Sequence, residues 1–160
     1  MPSSRRRTAF TSIVAILTAS TAFGGLQIPR SVPERARASE HVVVATVADV
    51  EAAYQTNEFG DRLIVSRVVL DVTEAMKGAG GHRLEMDLEG GTVGEITLKV
   101  SDLPALKKGE RAVFFLARGR SGRLEPKFRG QGILKLDARQ KVAGTDVDLA
   151  EVRALVKGAR

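Results

Sequence analysis

The sequence predicts a mainly β domain of six or seven short antiparallel strands, followed by one C-terminal helix. Three observations lead there. Apolar and polar residues alternate with period two through one run after another, glycines punctuate the runs, and near residue 146 the period changes to three and four. The clearest run is Ile64 to Gly78. Val68, Leu70, Val72 and Met76 share one parity, while Arg67, Asp71 and Thr73 take the other. Successive strand residues point to opposite faces, so this is a strand with a core side and a wet side, stopped by Gly78.

The chain opens on a different composition. Arg5, Arg6 and Arg7 precede an uncharged apolar stretch, Ala9 to Ile28, and then Ala36-Arg37-Ala38, a small-x-small pattern suited to signal peptidase. Ser20-Thr21-Ala22 is a second candidate site, and an uncleaved N-terminal anchor is the alternative to cleavage. Residues 1–38 are therefore expected to be a cleavable signal peptide and tether. Ser31 to Glu40, polar and proline-bearing, supplies the tether. A single domain at 39–160 follows, exported to the periplasm or the medium, with no stable membrane span after processing. Six of the 25 basic residues and one of the 19 acidic ones lie in that leader, which leaves 19 against 18. The net charge of +6 thus belongs mostly to the leader and gives no reason to expect a nucleic-acid partner. The chain has no cysteine, so neither disulfides nor thiol chemistry enter.

In chain order, Val42 to Ala53 carries valine on both parities, as a strand covered on both faces would. Gln55 to Asp61, with Asn57 and Gly60, is the turn that makes a hairpin with the Ile64 strand. His82 to Glu89 alternates, with Leu84, Met86 and Leu88 inward; after Gly90 and Gly91, Ile96, Leu98 and Val100 repeat the pattern. Arg111 to Arg118 holds Val113-Phe114-Phe115-Leu116, a buried strand. A glycine-punctuated basic hairpin leads to a weak strand near Arg123 to Phe128, and Gly130 to Asp137 ends the β part. Thr145 or Asp146 is placed to cap a helix from about 146, with Leu149, Val152, Leu155 and Val156 as its apolar stripe, lying on the β part or plugging its mouth.

The order of these features resembles a known family. The run V-V-V-A-T-V-A-D-V-E (42–51) precedes a long strand ending V-T-E-A-M-K-G (72–78). A glycine pair follows near 90, then Lys-Gly-Glu (108–110) running into V-F-F-L (113–116), and G-Q-G (130–132). This resembles the exported bacterial domains that are similar to the OB-like barrel of netrin modules and tissue inhibitors of metalloproteinases, over roughly residues 40–137. The resemblance implies a small antiparallel OB-like barrel and, as an alternative function, inhibition of or assistance to an extracellular metalloprotease. Those inhibitors chelate zinc through an N-terminal cysteine, whereas a chain cut after Ala38 begins Ser39-Glu40-His41.

Catalytic chemistry finds little to stand on. The two histidines, His41 and His82, head two predicted strands; even with Glu40 or Glu85 they lack the ordered spacing of zinc ligands. None of Ser39, Ser66, Ser101 and Ser121 sits in a nucleophile elbow. Glu85, Asp87 and Glu89 on one parity could do acid–base work or bind calcium, but that is also how a solvated strand face reads. Gly90 to Gly94 lacks the helix and the Lys-Ser/Thr pair of a phosphate loop.

Charge is uneven: residues 39–105 carry 5 basic and 12 acidic side chains, and residues 106–160 carry 14 and 6. If the 118–129 hairpin projects, Arg118, Arg120, Arg123 and Arg129 form a patch for carboxylates or phosphates, provided that they lack carboxylate partners. Otherwise the acidic half simply pairs with the basic half. The sequence therefore predicts a non-enzymatic exported binding module, without metal or cofactor, whose partner is an anionic envelope component or an extracellular protein. A single-strand-binding OB barrel is the third reading, resting on Tyr54, Phe59 and Phe128 as stacking residues.

Overall fold

A computed structural model describes residues 28–57, 59–78 and 81–159. The arginine-led apolar leader up to residue 27 and the Ser20-Thr21-Ala22 site lie outside the described residues. Two strands of 16 residues dominate, β1 (His41–Thr56) and β2 (Arg62–Lys77), paired antiparallel from Val42 opposite Lys77 to Thr56 opposite Arg62. Asn57 makes the turn: its Oδ1 accepts from the Phe59 and Asp61 amides, 3.0 and 2.8 Å away, an asparagine side chain standing in for a backbone turn.

β3 (Arg83–Glu89) runs antiparallel to β2, and β6 (Arg111–Arg118) runs antiparallel to the first part of β1, His41 to Thr46. Between them, β4 (Gly91–Val93) and β5 (Ile96–Leu98) form a sheet of their own. Along the other edge of β6 lie β7 (Leu124–Pro126) and β8 (Ile133–Lys135), both antiparallel to it; β7 also pairs parallel with β3, Met86 opposite Leu124. The pairings therefore run β1–β2–β3–β7–β6 and return to β1.

Strand parity divides the core in two. Val43, Ala45, Val47, Phe114 and Leu116 face one cluster, which also takes Val68 and Leu70 from β2, Met86 and Leu88 from β3, Leu124 and Ile133. The intervening Val42, Val44, Val113 and Phe115 face a second cluster, completed by Met76 and by two helices. Valine on both parities of β1 thus has the cause expected of it, since each face of the strand is covered. The covering is done by α1 (Val32–Ala38) and α2 (Leu149–Lys157), which present Ala36 and Leu149, Val152 and Val156. The C-terminal helix lies on the outer side of β1 and β6.

Three expectations need correction. Ser31 to Glu40 is not a tether. Ser31 and Glu34 close a capping box on α1, Ala36 is buried, and the Lys77 ammonium donates to the Ala36 carbonyl at 2.7 Å. The C-terminal helix starts later than 146 because Asp148 is the residue that caps it, accepting from the Glu151 amide at 2.8 Å. Ile96 is not inward but 59 % exposed, since β4 and β5 fold as a separate hairpin against the inner side of β1 and β2. Gly91 makes that approach: its φ is +132°, and a Cβ there would lie 2.4 Å from the Ser66 hydroxyl oxygen.

Candidate functional site

A cleft of about 670 Å³ opens beside β2 and β3, touching the first cluster at Leu88 and Leu103. Leu63 and Val65 supply its floor from β2, being of opposite parity to buried Ile64 and Ser66. Asp87 and Glu89 enter from β3, Glu125 and Pro126 from β7, and Leu103 from the β5–β6 connection. Its rim is made by the β1–β2 turn, carrying Phe59 at 76 % exposure, and by the β6–β7 hairpin, carrying Arg120 and Ser121.

Asp87 is the unusual member. It stands between core residues Met86 and Leu88 and is only 8 % exposed, because the β6–β7 hairpin folds over it. Arg123 Nε reaches its Oδ2 at 3.5 Å, while its buried Oδ1 has no hydrogen-bond partner. Burial pushes this carboxyl above its ordinary range; Arg123 and Arg67 pull the other way, and Glu85 adds to the rise. An unpaired buried acceptor costs about 1–3 kcal/mol, so most proteins leave few of them. Glu125, beside it, is raised too, by burial first and then by Asp87 and Glu89, against Arg129.

The other wall is the reverse case, fully paired. Arg129 donates from Nε to Asp102, and from Nη2 to Glu89 at 3.0 Å and to Asp102 at 3.1 Å. These bonds hold the guanidinium firmly charged and lower the Asp102 carboxyl. The backbone bends to allow it, with Phe128 and Arg129 both left-handed at φ 57°. Such a conformation is uncommon outside glycine and is found where surrounding contacts over-determine it. Here the Gly130 amide donates to the Asp102 carbonyl at 3.1 Å and the Lys127 amide to the Phe115 carbonyl at 2.7 Å.

The four arginines singled out by the sequence do not stand free as a patch for anions. Arg118 sits 3.7 Å from Glu40, Arg123 pairs with Asp87, and Arg129 with Glu89 and Asp102. Arg120 is exposed on the cleft rim and also has an interaction partner. Each of the three pairings joins the basic second half to the acidic first half, as does Arg153 with Glu74 at 2.8 Å. The charge asymmetry is thus absorbed by the fold.

The remaining chemistry stays dispersed. Ser39 and Ser66 spend their hydroxyls on the carbonyls of Arg35 and Gly90, both at 2.7 Å. Among the described residues, no group of three or more His, Asp or Glu side chains is placed to hold a metal. Also among them, no helix is long and apolar enough to cross a membrane. Sequence reasoning missed Glu125, Asp102 and Leu103 as companions of Asp87, because nothing local signals that the β6–β7 hairpin covers β3. No protein-family model matches the chain, and no curated protein matches it either.

Proposed function

We propose that this chain is a non-enzymatic exported binding module, a closed OB-like barrel whose ligand site is the Asp87 cleft. Closure is supported by the circuit of pairings that returns to β1, by the parallel contact of β3 with β7, and by one cluster fed from all six strands of the sheet. Export is supported by the arginine-led apolar leader. OB barrels take ligands on the face of their second and third strands, between the loops after strands one and four. The Asn57 turn and the β6–β7 hairpin occupy those two places, and the cleft lies between them.

The observation that carries the reading is a concave site with an apolar floor and a buried carboxylate lacking a donor. The partner is an extracellular protein rather than an anionic polymer, because the arginines that would meet an anion are already paired. A photocrosslinking residue at position 63 in the cleft is compared with one at exposed Arg139, in the exported fraction. The reading expects a discrete adduct from position 63 and none from 139. Equal labelling at both, or none at 63, rejects it.

A further inference from the structure

The cleft's hydrogen bonding is incomplete at one place. Arg129 is consumed by Asp102 and Glu89. Arg123 reaches only one oxygen of Asp87, whose side chain is 10 % exposed and whose Oδ1 has no donor. Glu125, next to it, makes no hydrogen bond or ion pair among the described residues and is crowded by the negative charges of Asp87 and Glu89. Two carboxylates therefore sit together with acceptors to spare, beside apolar walls from Leu63, Val65, Leu103 and Pro126.

Taking the cleft as the ligand site, we propose that this corner of it receives a lysine or arginine side chain presented by the partner protein. The ammonium or guanidinium donates to Glu125 and, after a turn of the Asp87 carboxyl that brings its sealed Oδ1 to the cleft, to Asp87. The methylene stem lies along the apolar walls, as such stems do wherever they are covered. Phe59, exposed on the rim, offers a ring face to the incoming cation. A carboxylate or phosphate ligand would instead meet two like charges, and a purely apolar one would leave Asp87 Oδ1 without a donor.

The test is an NMR titration of the 15N-labelled protein with four blocked peptides, carrying lysine, arginine, norleucine or glutamate between glycines. Peptide is added to about ten times the ~1 mM dissociation constant expected of so small a ligand. The lysine and arginine peptides should shift the Leu88, Glu89 and Glu125 amides saturably, and the other two should not. Asp87→Asn and Glu125→Gln should each weaken that binding at least tenfold (~10-fold, about 1.4 kcal/mol) while leaving the rest of the spectrum in place. If norleucine or glutamate binds as well as lysine, or Asp87→Asn binds unchanged, the cation assignment is wrong and the cleft remains a site. If none of the four moves a cleft resonance, the cation assignment and the cleft both fall.

Discussion

The two covered outer faces of this fold are finished in opposite ways. Over β1 and β6, the helices bring apolar side chains onto Val42, Val44, Val113 and Phe115, and at the edge of that covering the Arg111 Nε is buried without a hydrogen-bond partner. Over β2 and β3, the covering is a hairpin and a turn, and what they enclose is a carboxylate with one oxygen unserved. Apolar closure contributes stability in proportion to area, and a half-satisfied polar enclosure does not. The contrast assigns stability to the helix side and leaves the cleft side as the proposed place of recognition.

The strongest way to break the contrast is Phe115→Ala, which empties a fully buried site beneath the helices. We expect a loss of about 3–5 kcal/mol, read from urea unfolding, whereas Leu63→Ala in the cleft should cost under ~1.5 kcal/mol. Comparable losses at the two sites would erase the distinction. Removing residues 28–38 comes next. Without Ala36 and the Lys77 contact the second cluster is uncapped, and about 2 kcal/mol should go, with peptide binding in the cleft unaltered.

Asp87→Asn sharpens the other side. The folded carboxyl is raised above its unfolded value, so the native state holds the proton more tightly and stability falls as pH rises through the folded pKa. Burial sets this rise, Arg123 and Arg67 oppose it and Glu85 adds to it, with Glu125 raised in parallel. The substitution should therefore raise stability at neutral pH, with the gain vanishing as pH drops towards the ordinary aspartate range. Thermal melts of both proteins from neutral pH down to the ordinary aspartate range decide it; a constant offset would refute the titration. Smallest of all is Arg118→Ala. Its pair with Glu40 is solvent-exposed, so unfolding should change by less than about 0.5 kcal/mol.

Much of this architecture was legible in the chain. The Arg111–Arg118 strand has the limits its apolar run sets, and the valine-rich β1 is covered twice, as its two apolar parities require. Alternation is a local signal, and it reports which side of a strand a residue takes. It does not report what else folds onto that side. Asp87 therefore read as part of a wet face, although the chain 32 or more residues on, from Gly119, folds back to bury it. The Ser31–Glu34 box was a local signal too, obscured by a proline that also suits a first helical turn. Pairing of the arginines needed three dimensions, because every partner lies far away in sequence.

The helices have one more consequence, which concerns attachment. Val32 at the head of α1 and Ala159 just past α2 pack against the same cluster, while the chain before α1 runs to Gln131, whose side chain bonds the Arg30 amide and the Ile28 carbonyl. None of the cleft-lining residues belongs to that cluster. A linker or fused domain joined after α2 would therefore grip the helix side and leave the mouth of the cleft clear.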